Sequence, residues 1–263
     1  MDNETLRVVS AHNALWARGD LESLYALYHP EMVFTDHYAS QKYRGDALRS
    51  HVRSIIERSQ LDSLRYTDRV RVDGDTATQR YTETIRSGND ELLLSVSACD
   101  VVKVADSLII AIDEYAIPEA VTPRESGAPR VQESSAAIGK TGLSARAIGY
   151  LLSDLDCWMQ TQRPFLNPAL SLQDMAQATG YTRNQISFAL NQFKGVSFFD
   201  YVNRVRVKHL MGLVPYPSSG GAVAWAEQAG FRSVSTFYSA FRSATGLSPA
   251  AWVQRQRGVH KGV

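Results

Sequence analysis

The spacing of hydrophobic positions changes once along this chain and divides it in two. In the first half, apolar residues at helical spacing are followed by a series of strand-like runs separated by hairpin-type turns. These runs lie at 64–72, 76–86, 91–104 and 107–116. From about residue 143 onward the spacing is helical throughout. The pattern predicts an α+β half followed by an all-α half.

The first half, residues 1–117, is predicted to place helices on a curved antiparallel sheet. Leu6, Val9 and Trp16 fall at helical spacing, and Arg18-Gly19-Asp20 ends that helix and caps a second one at 21–28. A strand is expected over 32–38. A third helix follows at 46–58, with Asp46 as its N-cap.

A segment rich in Pro, Gly, Ser and charge separates the halves, and we interpret residues 118–142 as a flexible linker. The second half, 143–263, is expected to be helical only. Its predicted helices are 144–160, 171–178, 182–193, 197–213, 221–228, 233–243 and 248–256.

The second half contains one short unit twice, at about 171–193 and 221–243. Each copy has an alanine four places before a glycine, Ala176 before Gly180 and Ala226 before Gly230. A small residue lets two helices pack closely, and glycine suits a left-handed turn between them. Two helix-turn-helix motifs are therefore predicted.

The stretch GFRSVSTFYSAFRSATGLSPAAW, with ISFALNQFKGVSFFDYVNRVRV before it, resembles the AraC/XylS family of bacterial transcription regulators. The resemblance covers about 143–257. It implies two helix-turn-helices bridged by one long helix, here 197–213, that present two recognition helices to successive major grooves of double-stranded DNA. Those grooves lie about 34 Å apart.

The outward positions of the two recognition helices are candidates for reading bases, because Asn and Gln can pair with adenine and Arg with guanine. Phe188 could meet a thymine methyl or pack on the bridging helix. The base candidates are Arg183, Asn184, Gln185, Ser187, Phe188, Asn191, Val234, Ser235, Thr236 and Ser239. The phosphate candidates are Lys194, Arg204, Arg206, Lys208, Arg232 and Arg242.

The stretch ARGDLESLYALYHPEMVFTDHY resembles the start of SnoaL-like, ketosteroid-isomerase-like cone domains. The resemblance implies a deep, mostly apolar pocket of the kind that takes small molecules. The isomerases' base falls on Asp36, one oxyanion-hole residue near Asp100, and the other on His12, where their Tyr is not kept. The pocket candidates are His12, Trp16, Tyr28, Phe34, Asp36, Tyr38, Tyr81, Glu83 and Asp100.

Charge supports two halves with different partners. Residues 1–115 hold 13 Lys and Arg against 19 Asp and Glu, a net charge of −6, whereas residues 116–263 have +7. The two cysteines, Cys99 and Cys157, have no metal-site spacing. We expect no metal, no cofactor, no membrane span, and a cytoplasmic location.

These observations predict a DNA-binding transcription regulator, without enzymatic activity, controlled by a small molecule in the first half. A homodimer is expected, and RNA polymerase is a further candidate partner. Two alternatives remain open. The first half could be an enzyme of isomerase or hydrolase type fused to a DNA-binding domain, or it could serve only for dimerisation.

Substitutions should separate base readers from phosphate contacts. Asn184→Ala or Gln185→Ala is expected to relax base preference at one position by about 1–3 kcal/mol. Arg206→Ala should instead weaken binding to all sequences alike and flatten its salt dependence. Binding measured across a set of duplexes checks this, and a sequence-blind loss in both kinds of variant would contradict the assignment.

Overall fold

The computed structural model describes residues 3–59, 63–120, 141–213 and 221–259, with side chains up to residue 255. The chain folds into two compact units, Met1–Ser153 and Asp154–Val263. The division falls later than the boundary predicted at 143. It lies inside a helix, so that this helix contributes residues to both units.

Three helices precede or interrupt the sheet of the first unit. Helix α1 spans Glu4–Arg18, α2 spans Leu21–Ala26, and α3 spans Gly45–Arg58. The caps between α1 and α2 form as predicted, because Gly19 is left-handed and the Asp20 side chain accepts from the amide of Ser23. The N-cap prediction for α3 is wrong. Arg44 occupies that position without a side-chain bond, and Asp46 lies in the first turn.

The sheet of the first unit has seven strands in the order β2-β1-β7-β6-β5-β3, with β4 paired to β5. Strands β5, β6 and β7 form the predicted antiparallel meander. The strands are β1 Tyr28–Asp36, β2 Gln41–Tyr43, β3 Leu64–Tyr66, β4 Arg71–Asp73, β5 Thr76–Arg86, β6 Leu92–Ala105 and β7 Leu108–Ala120.

Three details of the sheet differ from the predictions. Strand β1 pairs with β7 in parallel, so the sheet is not wholly antiparallel. The run 64–72 forms two short strands, β3 and β4, that pair with different parts of β5. Strand β2 was not predicted. It has only three residues, and none of them is fully buried, so the sequence carries no strong strand pattern there.

Apolar side chains from α1, α3 and the sheet form the core of the first unit. Val9, Val52 and Ile109 are almost fully buried, and Trp16 and Tyr25 pack at the edge of this core. Alternate residues of β5 and β6 face this interior, as the period-2 pattern predicted. Helices therefore cover the inner face of the sheet, and a space remains between these helices and the sheet.

Helix α4, Ala145–Gln162, is the helix that contributes to both units. Within the first unit it approaches the sheet closely at Gly149, where an added Cβ would collide with the side chain of Ile85. The linker prediction lies largely outside the described residues, since 121–140 are not described. Its first residues, 118–120, belong to β7 instead.

The second unit is helical in all its described residues. None of the helices in those ranges has the length and apolar character that a bilayer span requires. The helices are α5 Leu172–Thr179, α6 Arg183–Ala189, α7 Phe198–Gly212, α8 Gly221–Gln228, α9 Val234–Thr245 and α10 Pro249–Val259, with a π-helical turn at Leu190–Lys194 after α6.

The doubled unit forms two helix pairs with the same turn. Gly180 between α5 and α6 has a φ of 77°, and Gly230 between α8 and α9 has a φ of 79°. Side-chain caps start the second helix of each pair, because Thr182 accepts from the amide of Gln185 and Ser233 from that of Thr236. Phe231, Phe237 and Phe241 pack in one apolar cluster of this unit.

The two turn glycines should differ in their sensitivity to substitution. Gly180→Ala adds a Cβ in open space, so only the left-handed backbone cost of about 1–2 kcal/mol applies. Gly230→Ala has the same backbone cost, and its Cβ also collides with the backbone of Phe165 and Leu166. The Cα of Leu166 would be 2.7 Å from the new Cβ. Denaturant unfolding should show a clearly larger loss for Gly230→Ala, and equal losses would contradict this packing.

Candidate ligand cavity and nucleic-acid interface

The first unit contains a small cavity between its helices and the inner face of the sheet. Most of the wall is apolar or aromatic, and the polar groups are gathered on β5, β6, β7 and α4. The wall is formed by His12, Trp16, Tyr28, Phe34, Val52, Ile55, Leu64, Tyr66, Gln79, Tyr81, Asp100, Ile112, Glu114 and Arg146.

A buried guanidinium is at the centre of the polar part. Arg146 of α4 donates from Nε to Glu83 Oε2 and from Nη1 to Glu114 Oε1, both at 2.6 Å. Its Nη2 donates to the hydroxyl of Tyr81 at 2.8 Å. All four side chains are almost inaccessible to solvent. A guanidinium forks to two acceptors more readily than an ammonium does, so the geometry is specific for arginine.

The pKa values of the two carboxyl groups beside Tyr81, those of Glu114 and Asp100, are shifted in opposite directions. Burial alone would raise the pKa of Glu114, but the adjacent Arg146 and the Tyr81 hydroxyl outweigh it, and the pKa is lowered. Asp100 accepts none of the three hydrogen bonds that Arg146 donates to Glu83, Glu114 and Tyr81, and burial together with the charge of Glu114 outweighs the attraction of Arg146 and raises the pKa of Asp100 to about 7. The cluster therefore holds one firmly ionised carboxylate next to one that is readily protonated.

The hydrogen bonds agree with a protonated Asp100. Tyr81 has one hydroxyl hydrogen, which serves the 2.7 Å contact to Glu114. Its 3.2 Å contact to Asp100 is then satisfied when the Asp100 carboxyl donates to the phenol oxygen. The second Asp100 oxygen accepts from the Gln79 amide, which is itself held by Asn13.

Histidines near the cavity add no positive charge at neutral pH. Burial lowers the pKa of His12 and that of His51 to about 4. His12 bonds through Nε2 to the hydroxyl of Tyr28 at 3.0 Å, and His51 stacks on Tyr43. The wall therefore offers the neutral imidazole of His12, aromatic rings and carboxyl groups to an occupant.

The structure brings six of the nine predicted pocket residues to the cavity wall: His12, Trp16, Tyr28, Phe34, Tyr81 and Asp100. The prediction is wrong for Asp36, Tyr38 and Glu83, which do not line the cavity. Asp36 is buried at the end of β1, where its Oδ1 accepts from the amide of Ala39. Glu83 is engaged by Arg146 and by the Ser59 hydroxyl.

Two of the polar wall residues, Glu114 and Arg146, were not predicted from the sequence. Glu114 follows the inward alternation of β7 and could have been found from the strand pattern. Arg146 could not, because it lies 63 residues from Glu83 and in a helix whose pattern assigned it to the second half.

In the second unit, α6 presents several of the predicted base candidates to solvent. Arg183, Asn184 and Asn191 are exposed and Ser187 is half-buried. Gln185 is committed in part to the helix cap, since its Oε1 accepts from the amide of Thr182. Phe188 is half-buried and packs edge-to-face on Phe193.

Two of the predicted phosphate contacts are structural instead. Arg206 is buried and donates to the carbonyl oxygens of Phe165 and Asn167, which leaves its guanidinium inside the unit. Lys194 pairs with Asp156 at 3.1 Å. Helical spacing could not separate these cations from exposed ones. The remaining phosphate candidates, Arg204, Lys208, Arg232 and Arg242, are exposed.

A groove between α7 and α9 brings together candidates from both predicted classes. Ser235, Thr236 and Ser239 of α9 line it opposite Asn203 and Arg204 of α7. Short hydroxyl side chains next to an exposed guanidinium form a polar, hydrogen-bonding surface. Such a surface suits a phosphate backbone or a base edge.

Asp100 should make the stability of the first unit depend on pH. The pKa of Asp100 is about 7 in the folded chain and near 4 when unfolded, so stability is lost as the pH rises between these values. Asp100→Asn removes this loss. Unfolding measured at several pH values should show the variant gaining on the parent chain as the pH increases.

An exposed aspartate gives the control for this experiment. Asp73→Asn lies on the surface of β4 and should leave the pH profile of stability unchanged. A parallel profile for Asp100→Asn and the parent chain would show that Asp100 is ionised in the folded protein throughout.

Comparison with known proteins agrees with both units. The family model described as a SnoaL-like domain matches residues 9–112, and the one described as a helix-turn-helix domain matches residues 175–255. No curated protein sequence matches the chain.

Several solved structures resemble part of the chain. An NTF2-like protein from Burkholderia xenovorans LB400 is 16% identical, with 43% of this chain and 89% of that chain covered and a TM-score of 0.36. An NTF2-like protein from Mesorhizobium loti is 21% identical, with 43% and 91% covered and a TM-score of 0.36. An LEH-like epoxide hydrolase from M. tuberculosis is 20% identical, with 43% and 83% covered and a TM-score of 0.36.

Identities this low carry no information about a shared substrate. The two family matches fall on the two units that the fold defines and on the motifs that carried both resemblances. The chain therefore contains a C-terminal helix-turn-helix domain of the AraC type, which supports a DNA-binding regulator, and an N-terminal SnoaL-like domain.

Proposed function

We propose that the chain controls transcription in response to a small molecule bound in the cavity of the first unit. The observation that carries this proposal is the position of helix α4. Its residue Arg146 belongs to the polar wall of the cavity, and its later residues belong to the unit that contains both helix-turn-helix pairs. One continuous helix thus runs from the cavity wall into the unit with the helix-turn-helix pairs, which supports control of that unit by an occupant of the cavity.

The second half of α4 is bonded to the first helix-turn-helix pair and the helix after it. The Tyr181 hydroxyl donates to Asp154 at 2.6 Å, and the Tyr201 hydroxyl donates to Asp156 at 2.6 Å. Tyr181 directly follows the turn glycine of this pair. A change in the contacts that position α4 would therefore act on residues that orient α6.

An effector can change DNA affinity only if it binds one arrangement of the protein better than another. Arg146, Glu114 and Asp100 line the cavity, so a charged or hydrogen-bonding occupant beside them changes the balance of charges that holds the first half of α4. This differential contact is the physical basis of the proposed control. The homodimer and the contact with RNA polymerase stay predictions.

The second candidate is an enzyme in the same cavity. It is favoured by Asp100, a carboxyl whose pKa of about 7 would suit proton transfer near neutral pH. It is disfavoured by Asp36, the expected base, which does not line the cavity wall. Turnover of a ketone substrate that Asp100→Asn abolishes would establish this function.

DNA binding gives the direct test of the regulator. Duplexes selected by the full chain should be bound in a salt-sensitive manner. Arg204→Ala should weaken binding to every duplex and reduce the salt slope by about 1, because one phosphate contact is lost. Asn184→Ala should instead change the preference at one base pair. Fluorescence anisotropy over a salt series measures both effects.

Matched variants guard this test. Arg18→Ala removes an exposed arginine of the first unit and should leave DNA binding unchanged. Arg206→Ala should lower stability, since its buried carbonyl partners lose their donors. If Arg204→Ala binds all duplexes as the parent chain does, the α7–α9 groove is not part of the DNA interface.

A further inference from the structure

The inner face of the first unit buries more carboxyl side chains than positively charged ones. Four carboxyl side chains are buried there: Asp36, Glu83, Asp100 and Glu114. Arg146 is the one arginine or lysine side chain buried in the described part of this unit, and burial lowers the pKa of the buried His12 to about 4. A low-dielectric interior tolerates such an excess only if some carboxyls hold protons or a further cation is bound.

The bonds of Arg146 show which carboxyls lack a cation. Its guanidinium contacts Glu83, Glu114 and Tyr81, and neither Asp36 nor Asp100 accepts a hydrogen bond from it. Asp36 is the register neighbour of Glu114 across β1 and β7. Its Oδ2 is buried and has no hydrogen-bond partner. The unbalanced charge is therefore concentrated around Glu114, on the polar side of the cavity.

The rest of the cavity wall is rich in aromatic side chains. Trp16, Tyr28, Phe34 and Tyr66 line it together with Asp100. Aromatic rings attract organic cations through their electron-rich faces, most strongly when water is excluded. The wall therefore combines an unpaired carboxyl with the apolar surface that a compact organic cation requires.

We propose that this cavity binds a small organic cation, an ammonium group on a compact apolar or aromatic body, with the ammonium against the Asp100 carboxylate. The proposal rests on the function proposed above, in which this cavity is the effector site. The cavity is small, which limits the body to at most a single ring. The ammonium completes the charge balance that Arg146 leaves open.

Binding of a cation should release a proton from Asp100. Its pKa of about 7 keeps the carboxyl largely protonated below that pH, and an adjacent ammonium favours the ionised form. Affinity should therefore rise about tenfold per pH unit from pH 5 to 6 and level off above 7. A neutral ligand that accepts a hydrogen bond from protonated Asp100 has the opposite dependence.

Burial also raises the pKa of Asp36, but Asp36 does not line the cavity wall, and the other groups around Asp100 do not produce the same profile. His12 and His51 have pKa values lowered to about 4 by burial, and the pKa of Glu114 is also lowered. The tyrosines and Arg146 titrate well above this range. The titratable groups facing or adjoining Asp100 are His12, Tyr28, Asp36, His51, Tyr66, Tyr81, Cys99, Glu114 and Arg146.

The test uses isothermal titration calorimetry on the full chain with three probes of one shape. Benzylamine carries the positive charge, benzyl alcohol is neutral, and benzoate is negative. We expect benzylamine to bind at least tenfold more tightly than the other two at pH 7, with proton release at pH 6 in buffers of different ionisation enthalpy. Equal affinities, tighter alcohol binding or no proton release would overturn the proposal.

Two variants tie the effect to the cavity. Asp100→Asn should lose most of the preference for benzylamine and all of its pH dependence, while keeping its fold by circular dichroism. Tyr66→Leu should weaken benzylamine binding severalfold and affect benzyl alcohol less. Asp73→Asn, on the surface, should change neither.

DNA binding measured in parallel separates this inference from the proposed function. If benzylamine binds as expected but leaves DNA affinity unchanged, the cavity takes a cation and effector control is wrong. If benzoate or benzyl alcohol changes DNA affinity and benzylamine does not bind, effector control holds and the cation is wrong. Failure of all three probes to bind at millimolar concentration contradicts the inference.

Discussion

The bonds of one buried guanidinium determine how the first unit is arranged. Arg146 connects Glu83 of β5, Glu114 of β7 and the hydroxyl of Tyr81, so it joins two strands of the sheet to helix α4. Taking these charges out of water is costly, and their mutual attraction repays that cost only in a well-defined geometry. The ion cluster is therefore better understood as a constraint on position than as a large source of stability. Gly149, one turn further along α4, permits the close approach that this geometry needs.

The same cluster explains the chemistry of the cavity. Arg146 donates to two glutamates and not to Asp100, so burial raises the pKa of Asp100 while Arg146 lowers that of Glu114. Glu114 is thus ionised and bonded to Arg146, whereas Asp100 is readily protonated and receives no hydrogen bond from Arg146. An occupant of the cavity meets this uneven charge directly. The proposed control of DNA binding and the proposed cationic ligand both follow from the competition for positive charge around Glu114.

The DNA-binding unit shows how a repeated local design can still assign different roles to similar residues. Both turns use a left-handed glycine, and a side-chain cap starts each following helix. Among the cations, Arg206 is directed into the unit to satisfy the carbonyls of Phe165 and Asn167, whereas Arg204, two residues earlier, lines an exposed groove. Two residues along a helix turn a side chain by about 200°, which is enough to exchange a phosphate contact for a structural one.

Local sequence determined the elements, and tertiary structure decided the site. Hydrophobic period, glycine and caps are encoded within a few residues, so the helices of the second unit, strand β5 and both helix-turn-helix pairs were predictable almost to the residue. Two features of the sheet were not predictable: the parallel pairing of β1 with β7 and the split of 64–72. Both depend on partners that are distant in sequence. The same holds for Arg146. Its helix has an ordinary amphipathic pattern, and nothing in that pattern specifies that its first turn packs on a sheet whose residues lie 32 and 63 positions earlier. The sequence alone provided candidate side chains for binding a ligand or DNA but missed Glu114 and Arg146, and only the packed structure decided which residues share one low-dielectric cavity, because burial and pairing are properties of neighbours in space.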